Sequence, residues 1–468
     1  MSTVEFTPMH QSLGTETKLG RDDLNWRVAG VFFGLAVLSV AVDSLWLRRG
    51  GRLPNYLAVT SLCLGILGLG ILPLSHQAHN RATVHLRLPN ASTWSFLAVL
   101  VAFLAFYSIT GSCEATAFNE PVRQSDAFLH GRIWVENVPQ YMEHITWEGR
   151  KYLVHPPMSA ILLMPVVMLF GMSTNQTAIS VILGAIEVAL AWRLLGLLGL
   201  SMAPRIWLTV FFGIGTTLWF EATVGNSWDF VLVVSVLMTL LALNELFGEG
   251  RAWLLGLLTA FAALARYDLA LTFPFYALTL FVLKKKPREL IWMLPGWILA
   301  GLVFIVLNKS RFGSFFDLTM WIYYPTDPQH HPDTGPLSFA YLPANLYTLL
   351  FLAPALDGRF PYIHPTLVGQ SLPLTSPAFV LAFRPSFCRP IPCLIALMAA
   401  VGSLFSLTIY ASGYAQFGTR YYLQVYPFLL VLMALGMRHK ADQLAKVLIV
   451  ASIFLVSFGV WQIRGLGF

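Results

Sequence analysis

Charged residues are scarce in this sequence. Asp, Glu, Lys and Arg together make up 11% of 468 residues, against roughly a quarter in ordinary soluble domains. Hydrophobic residues reach 56% and mean hydropathy is +0.66, so the soluble-enzyme classes drop out and an integral membrane protein is expected. Cysteine is also rare. Cys63, Cys113, Cys388 and Cys393 are too few and too scattered for a disulfide framework or a zinc site. The sequence has no Walker A, Rossmann GxGxxG or HExxH pattern, which leaves nucleotide-driven transport and zinc proteolysis without support. No repeat period points to a solenoid. The polar stretch 1–27 carries no cleavable-signal pattern, so insertion is expected to rest on the first apolar span. The net charge of +7 is read as Lys and Arg flanking spans, with no nucleic-acid partner.

What is present is a series of long apolar runs. They fall near 28–47, 56–74, 93–110, 177–195, 206–222, 229–246, 290–307, 391–411, 422–437 and 445–463. Weaker runs near 252–266, 269–283 and 338–355 are also expected to cross. The total is about 13 spans, each near the length a bilayer demands. The fold class expected is an all-α polytopic transmembrane bundle. Its parts would be a cytoplasmic tail (1–27), two extra N-terminal spans within 28–92, and a core over 93–468.

Orientation follows the strongest basic cluster, Lys284, Lys285, Lys286 and Arg288, which belongs on the cytoplasmic side. The run 158–170 is about 13 residues, a length typical of re-entrant segments. Treated as non-crossing, it leaves the N-terminus inside and the 111–157 loop outside. Arg48, Arg49 and Arg52 are discordant, but the inside tally of Lys18, Arg21, Arg27, Arg81 and Arg87 outweighs them. The same parity puts 221–229, 266–268, the 308–336 loop and 416–421 outside, with Asp357 inside. Most polar residues able to do chemistry thus collect on one face, in an expected plasma (inner) membrane.

The 111–157 loop is unusually polar for this chain. It holds Glu114, Glu120, Asp126, Glu136, Glu143 and Glu148 among Arg123, Arg132 and Arg150. Its length is that of a functional loop, and its aromatics argue that it folds. Pro121 suits a helix's first turn, and the run to His130 can be that helix, closed by Gly131. Glu120 or Asp126 on such a helix could act as a general base. The alternative is a solvated helix with Glu120 as a simple cap.

Arginines at span edges are the second signal. Arg420, with Gln416 and Tyr421, opens the span at 422–437, and Arg266 lies between two short runs beside Asp268. A guanidinium is the natural bidentate partner of phosphate; headgroup snorkelling is the competing role. His330 and His331 with Asp327 and Asp333 read as a polar loop rather than a metal site.

Four stretches carry a family resemblance: FNEPVRQSDAFLHGRIW in the first loop, GRKYLVHPPMSAILLMPVVMLFG after it, LNKSRFGSFFD at 307–317, and QFGTRYYLQVYPFLL at the late span. Together they resemble the polytopic GT-C glycosyltransferases, specifically the bacterial relatives of protein O-mannosyltransferases and aminoarabinose transferases. The resemblance covers about 95–437. It implies transfer of a sugar from a polyprenyl-phosphate carrier to a protein, lipid or glycan acceptor at the external face, with inversion. Glu120 or Asp126 would be the base. Arg420 would bind the leaving phosphate, Arg311 would support the lipid-phosphate pocket, and His155 would shape the turn near the substrate. Arg266, Tyr421 and Gln416 complete the expected substrate-binding set. Related loops often carry Asp-Glu where this chain has Asn119-Glu120, so both base candidates stay open. No cofactor is required, and a divalent metal is compatible. The competing class is a transporter or lipid flippase, for which Glu187, central in its span, is the main sequence feature.

Overall fold

The computed structural model of the protein describes residues 91–358, 362–414, 416–437 and 440–465. The expected tail at 1–27 and the runs at 28–47 and 56–74 lie outside them. The chain divides into two units, Met1–Ala102 and Phe103–Phe468. The second unit contains every helix from Glu120–Leu129 onward.

The described chain is mostly helical, with two short antiparallel hairpins. Among the described residues, six helices are long and apolar enough to cross a membrane, and the pair Met202–Ile214 and Leu218–Val224, bent by 46°, passes the same test when taken together. Ser227–Phe247 is the central one, with 89% of its apolar window buried, whereas Pro287–Phe312 is 17% buried and faces outward. Two of the long helices start at side-chain caps. Asn226 accepts from the Asp229 N–H at 3.1 Å and Asn175 from the Ala178 N–H at 3.0 Å, satisfying donors that a first turn leaves orphaned. Gln176–Leu197 packs closely because Gly184 lacks a side chain: a Cβ there would stand 2.5 Å from Ala222 Cβ.

The helices give the bundle two ends of different character. Ala252–Ala265 starts beside Arg251 and ends at Arg266, and Phe273–Lys284 returns to the basic cluster. Arg193, Arg205, Arg251 and Lys284 therefore share one end, and Arg266 belongs to the other.

Two sequence expectations change here. The run at 338–355 forms a 3-10 turn, Phe339–Tyr341, and the short helix Leu342–Leu350, and both flanks stay at the Arg266 end. Ser338 N–H donates to Thr408 O at 2.8 Å, Ser371 N–H to Leu352 O at 2.9 Å, and Gln370 N–H to Gly418 O at 3.4 Å. The chain runs to the other end instead through Leu372–Thr375 and Pro377–Phe383, where Arg384 meets Asp442 at 3.1 Å. The parity of the later segments is unchanged. Asp357, however, moves to the Arg266 end, since Gln462 donates to Ile363 O at 2.5 Å and the neighbouring Arg464 reaches Thr223 at 2.5 Å. The sequence hides this segment because Pro373 and Pro377 break it. Neighbours tie it in: Ala378 N–H donates to Ser452 Oγ at 3.0 Å, and the Ser376 hydroxyl donates to Gly215 O at 2.8 Å.

The 111–157 loop is folded. It contains the helix Glu120–Leu129 and a hairpin, His144–Trp147 with Arg150–Leu153. Glu148 and Gly149 both take positive φ, 48° and 73°, the turn geometry that a two-residue hairpin prefers. Ala127, Val135, Val138, Met142 and Leu153 form one small core. Ile145 and Tyr152 pack on Phe312 in another, tying the hairpin to the end of Leu294–Phe312. The run 158–170 is the helix Met158–Phe170, whose last three residues are exposed.

Candidate functional site

Leu337 and five sequence-distant segments, 143–156, the start of Ser227–Phe247, 266–268, 317–329 and 405–421, line one cavity of about 400 Å³. These are the segments that sequence parity placed on a common face, and their convergence requires that face to be shared.

Arg266 sits where the helix Ala252–Ala265 stops. Its backbone is extended (φ −146°, ψ 113°), and a short 3-10 turn, Tyr267–Thr272, follows. A cation at a helix C-terminus complements the partial negative charge there. Arg266 Nε lies 3.6 Å from Asp268 Oδ1, and its guanidinium lies over the Phe405 and Tyr421 rings at 5.8 and 5.7 Å. Asp268 also accepts from Gln424, which donates to Gly402 O at 2.7 Å. The Arg266 head is thereby held while still lining the cavity.

Arg420 occupies the equivalent break before the helix Tyr426–Gly436. Its Nη1 lies 3.8 Å from Asp229 Oδ1, and its Nε has no hydrogen-bond partner among the described residues. Gln416 does not line the cavity. It braces Arg420 from behind, accepting the Arg420 N–H at 3.2 Å and donating to Val368 O and Ser412 O at 2.8 and 2.9 Å. Glu221 is buried beside Asp229, so two carboxylates share one guanidinium beneath the cavity floor.

His155 is buried between the two arginines' fields, and its Nε2 is unpartnered among the described residues. Burial first, then the charges of Arg266 and Arg420, lower its pKa to about 4. It is a neutral imidazole at physiological pH, able to donate without adding charge. Tyr421 lines the cavity beside it. Arg311 lies outside the lining, buried with its guanidinium 5.9 Å from the Tyr152 ring, and its Nε and Nη2 are unpartnered among the described residues.

The two base candidates are not brought together. Glu120 is fully buried behind the cavity wall, with Ser227 hydrogen-bonded to its carboxyl. Asn119, not Glu120, occupies the cap position of its helix. Burial chiefly, and then the nearby Glu143 carboxylate, raise the Glu120 pKa. Asp126 faces outward, 3.9 Å from Arg132 and 3.6 Å from His130, and does not line the cavity.

The loop carboxylate that does line it is Glu143. Burial raises its pKa, while the nearby Trp228 indole, the Arg420 charge and the Tyr323 hydroxyl pull the other way. Sequence reasoning counted Glu143 without singling it out. The only local signal was its place just before a strand-turn-strand pattern, ITWEGRKYL. Asp327 accepts from the Tyr410 hydroxyl at 2.6 Å, and His330 turns its Nδ1 to the Asp327 carbonyl at 2.7 Å. That pairing fits the reading of 327–333 as a polar loop. Among the described residues no group of three or more His, Cys, Asp and Glu is placed to hold a metal ion.

The cavity thus sets two guanidinium groups and a neutral imidazole against carboxylates and phenols at a helix-end boundary. No protein-family model, curated protein or solved structure matches the chain.

Proposed function

We propose that this protein is an inverting glycosyltransferase that moves a sugar from a polyprenyl-phosphate carrier to an acceptor hydroxyl at the external membrane face. The observation that carries the reading is the convergence of Arg266 and Arg420, each at a helix break, with His155 and a carboxylate in one cavity. A lipid-linked phosphate sits at headgroup depth, which is where cations at span ends can reach it. Arg420 and Arg266 bind the phosphate, and His155 donates a neutral hydrogen bond. Tyr421 and Gln416 hold the arginine segment, and Arg311 stands as a further cation behind the hairpin. Fixing donor and acceptor in one cavity supplies orientation, and cationic donors stabilise charge developing on the leaving phosphate. The acceptor is a protein, lipid or glycan bearing a hydroxyl.

The same proposal includes about 13 spans, a cytoplasmic N-terminus and a plasma-membrane location, with the basic end inside. A transporter reading would draw on Glu187, buried in Gln176–Leu197 with both carboxyl oxygens unpartnered among the described residues. Glu187 is not among the residues that line the cavity.

The test is transfer from labelled polyprenyl-phosphate sugars by the purified protein in lipid, with mass spectrometry of any lipid that copurifies. Transfer that depends on Arg420 and Arg266 supports the reading. Movement of the lipid between leaflets without transfer would replace it with the flippase.

A further inference from the structure

We propose that Glu143 is the general base that accepts the acceptor's proton, and that Glu120 acts through it as a positioning residue. The inference rests on the transferase reading above and names the group at the reacting atoms.

The loop offers six acids, and geometry separates them. Glu114, Glu136 and Glu148 are exposed, with Glu136 bound to Arg132 at 2.5 Å. Asp126 is turned to the same arginine on the outer side of its helix. Glu120 is sealed behind the wall with Ser227. Glu143 alone of the six lines the cavity that holds Arg266 and Arg420.

Its position is also rigid. The preceding residue, Met142, is 2% exposed in one loop core, and the second residue after it, Ile145, is 3% exposed in the other. The Trp228 indole and the Tyr323 hydroxyl lie beside the Glu143 carboxylate, and acceptor capacity stays free, since an ionised carboxylate has about four lone-pair sites. Behind it, the Glu120 carboxyl lies near the Glu143 backbone. Glu120 is itself held by its hydrogen bond with Ser227, which backs the segment from the protein side. A base needs a carboxylate held within reach of the acceptor hydroxyl, with the leaving group on the opposite side of the reacting carbon. Glu143, Arg266 and Arg420 line the same cavity, so a phosphate on the arginines and an acceptor hydroxyl on Glu143 can be held in one site.

The step balances without a co-reactant. The acceptor oxygen forms its bond to the anomeric carbon as the hydroxyl proton passes to Glu143. The bond from that carbon to the phosphate oxygen breaks, and its electron pair leaves with polyprenyl phosphate. Attack opposite the leaving group inverts the centre.

The experiment compares wild type, Glu143→Gln, Glu120→Gln and Asp126→Asn in lipid nanodiscs, measuring transfer from a labelled polyprenyl-phosphate sugar across pH 4–8 together with binding of that donor. Glu143→Gln is expected to lower kcat by about 100-fold or more with donor KM within about threefold, and to remove the acidic limb of the pH profile. Glu120→Gln is expected to lower kcat by roughly tenfold while keeping that limb, and Asp126→Asn to leave transfer near wild type. Near-normal transfer by Glu143→Gln overturns the base assignment and leaves the transferase reading standing. A wild-type profile that is flat over this range overturns it too, whatever the variant's folding. Wild-type protein that neither binds nor transfers the donor overturns the transferase reading, and the role of Glu143 with it.

Discussion

Arg420 Nη1 lies 3.8 Å from Asp229 Oδ1, with Arg420 6% and Asp229 1% exposed. The separation is longer than a hydrogen bond, so the attraction is mainly ionic and the guanidinium keeps donors free for a ligand. Removing it strands Asp229 and the adjacent Glu221 in a buried setting. Arg420→Ala is therefore expected to lose about 3–5 kcal/mol of stability, the cost typical of breaking a buried ion pair. Arg420→Lys should lose less stability but most donor binding, because an ammonium lacks the planar fork. Thermal unfolding in detergent together with labelled-donor binding checks both. Donor binding by Arg420→Lys at the wild-type level would mean that charge alone suffices and the fork does not matter.

His155 gives a pH signature of definite sign. Its pKa is lowered to about 4 by burial and by the two arginines, below the ordinary value of about 6.5. Its contribution to stability is complete above about pH 6.5 and is lost as pH falls toward 4, with a slope of one proton or about 1.4 kcal/mol per pH unit. His155→Gln removes that proton uptake. The wild-type minus variant difference in unfolding free energy should be flat at neutral pH and fall through this window. A difference that stays constant from pH 7 to pH 4 contradicts the buried neutral imidazole.

Glu120 predicts the opposite slope. Burial raises its pKa, so its contribution is complete below the ordinary carboxyl pKa and is lost as pH rises through the raised value. Glu120→Gln keeps the shape and can still accept from Ser227. It should match wild type near pH 4 and become progressively more stable than wild type as pH increases. Chemical or thermal unfolding at several pH values reads this directly. Destabilisation that grows with pH would mean that the ionised carboxylate is the favoured form.

Much of this was legible in the sequence, for reasons that can be named. The spans at 177–195 and 229–246 were visible because their apolar runs match bilayer thickness. Arg266 and Arg420 stood out because charge at a span end is rare in so apolar a chain. The helix after Pro121 followed from turn and cap chemistry and appears as Glu120–Leu129. Glu143 was not singled out because nothing local distinguishes it from its five acidic neighbours. Its distinction comes from Trp228, Tyr323 and Arg420, which approach from three other segments. The hairpin beside it was missed because four-residue strands are too short for alternation to register. The crossing at 372–383 was missed for a different reason. A segment bonded to Gly215 and Ser452 is held by protein, so it needs neither an unbroken helix nor a long apolar run.

That crossing makes the sharpest topological prediction. Asp357, Tyr141 and Lys440 are all exposed, and the route of the chain assigns the first two to the cavity end and the third to the opposite end. Single cysteines at 141, 357 and 440, in a background lacking the four native cysteines, can be probed with a membrane-impermeant thiol reagent. The cysteines at 141 and 357 should label from the same side, and the one at 440 only after the membrane is opened or from the other side. The apolar-run count alone gives a different pattern, with 357 grouped with 440. Labelling of 357 with 440 would restore 338–355 as the crossing segment. It would also require Leu352 to give up the hydrogen bond from Ser371 that, with Gln370 on Gly418, holds the far flank of that segment at the cavity end.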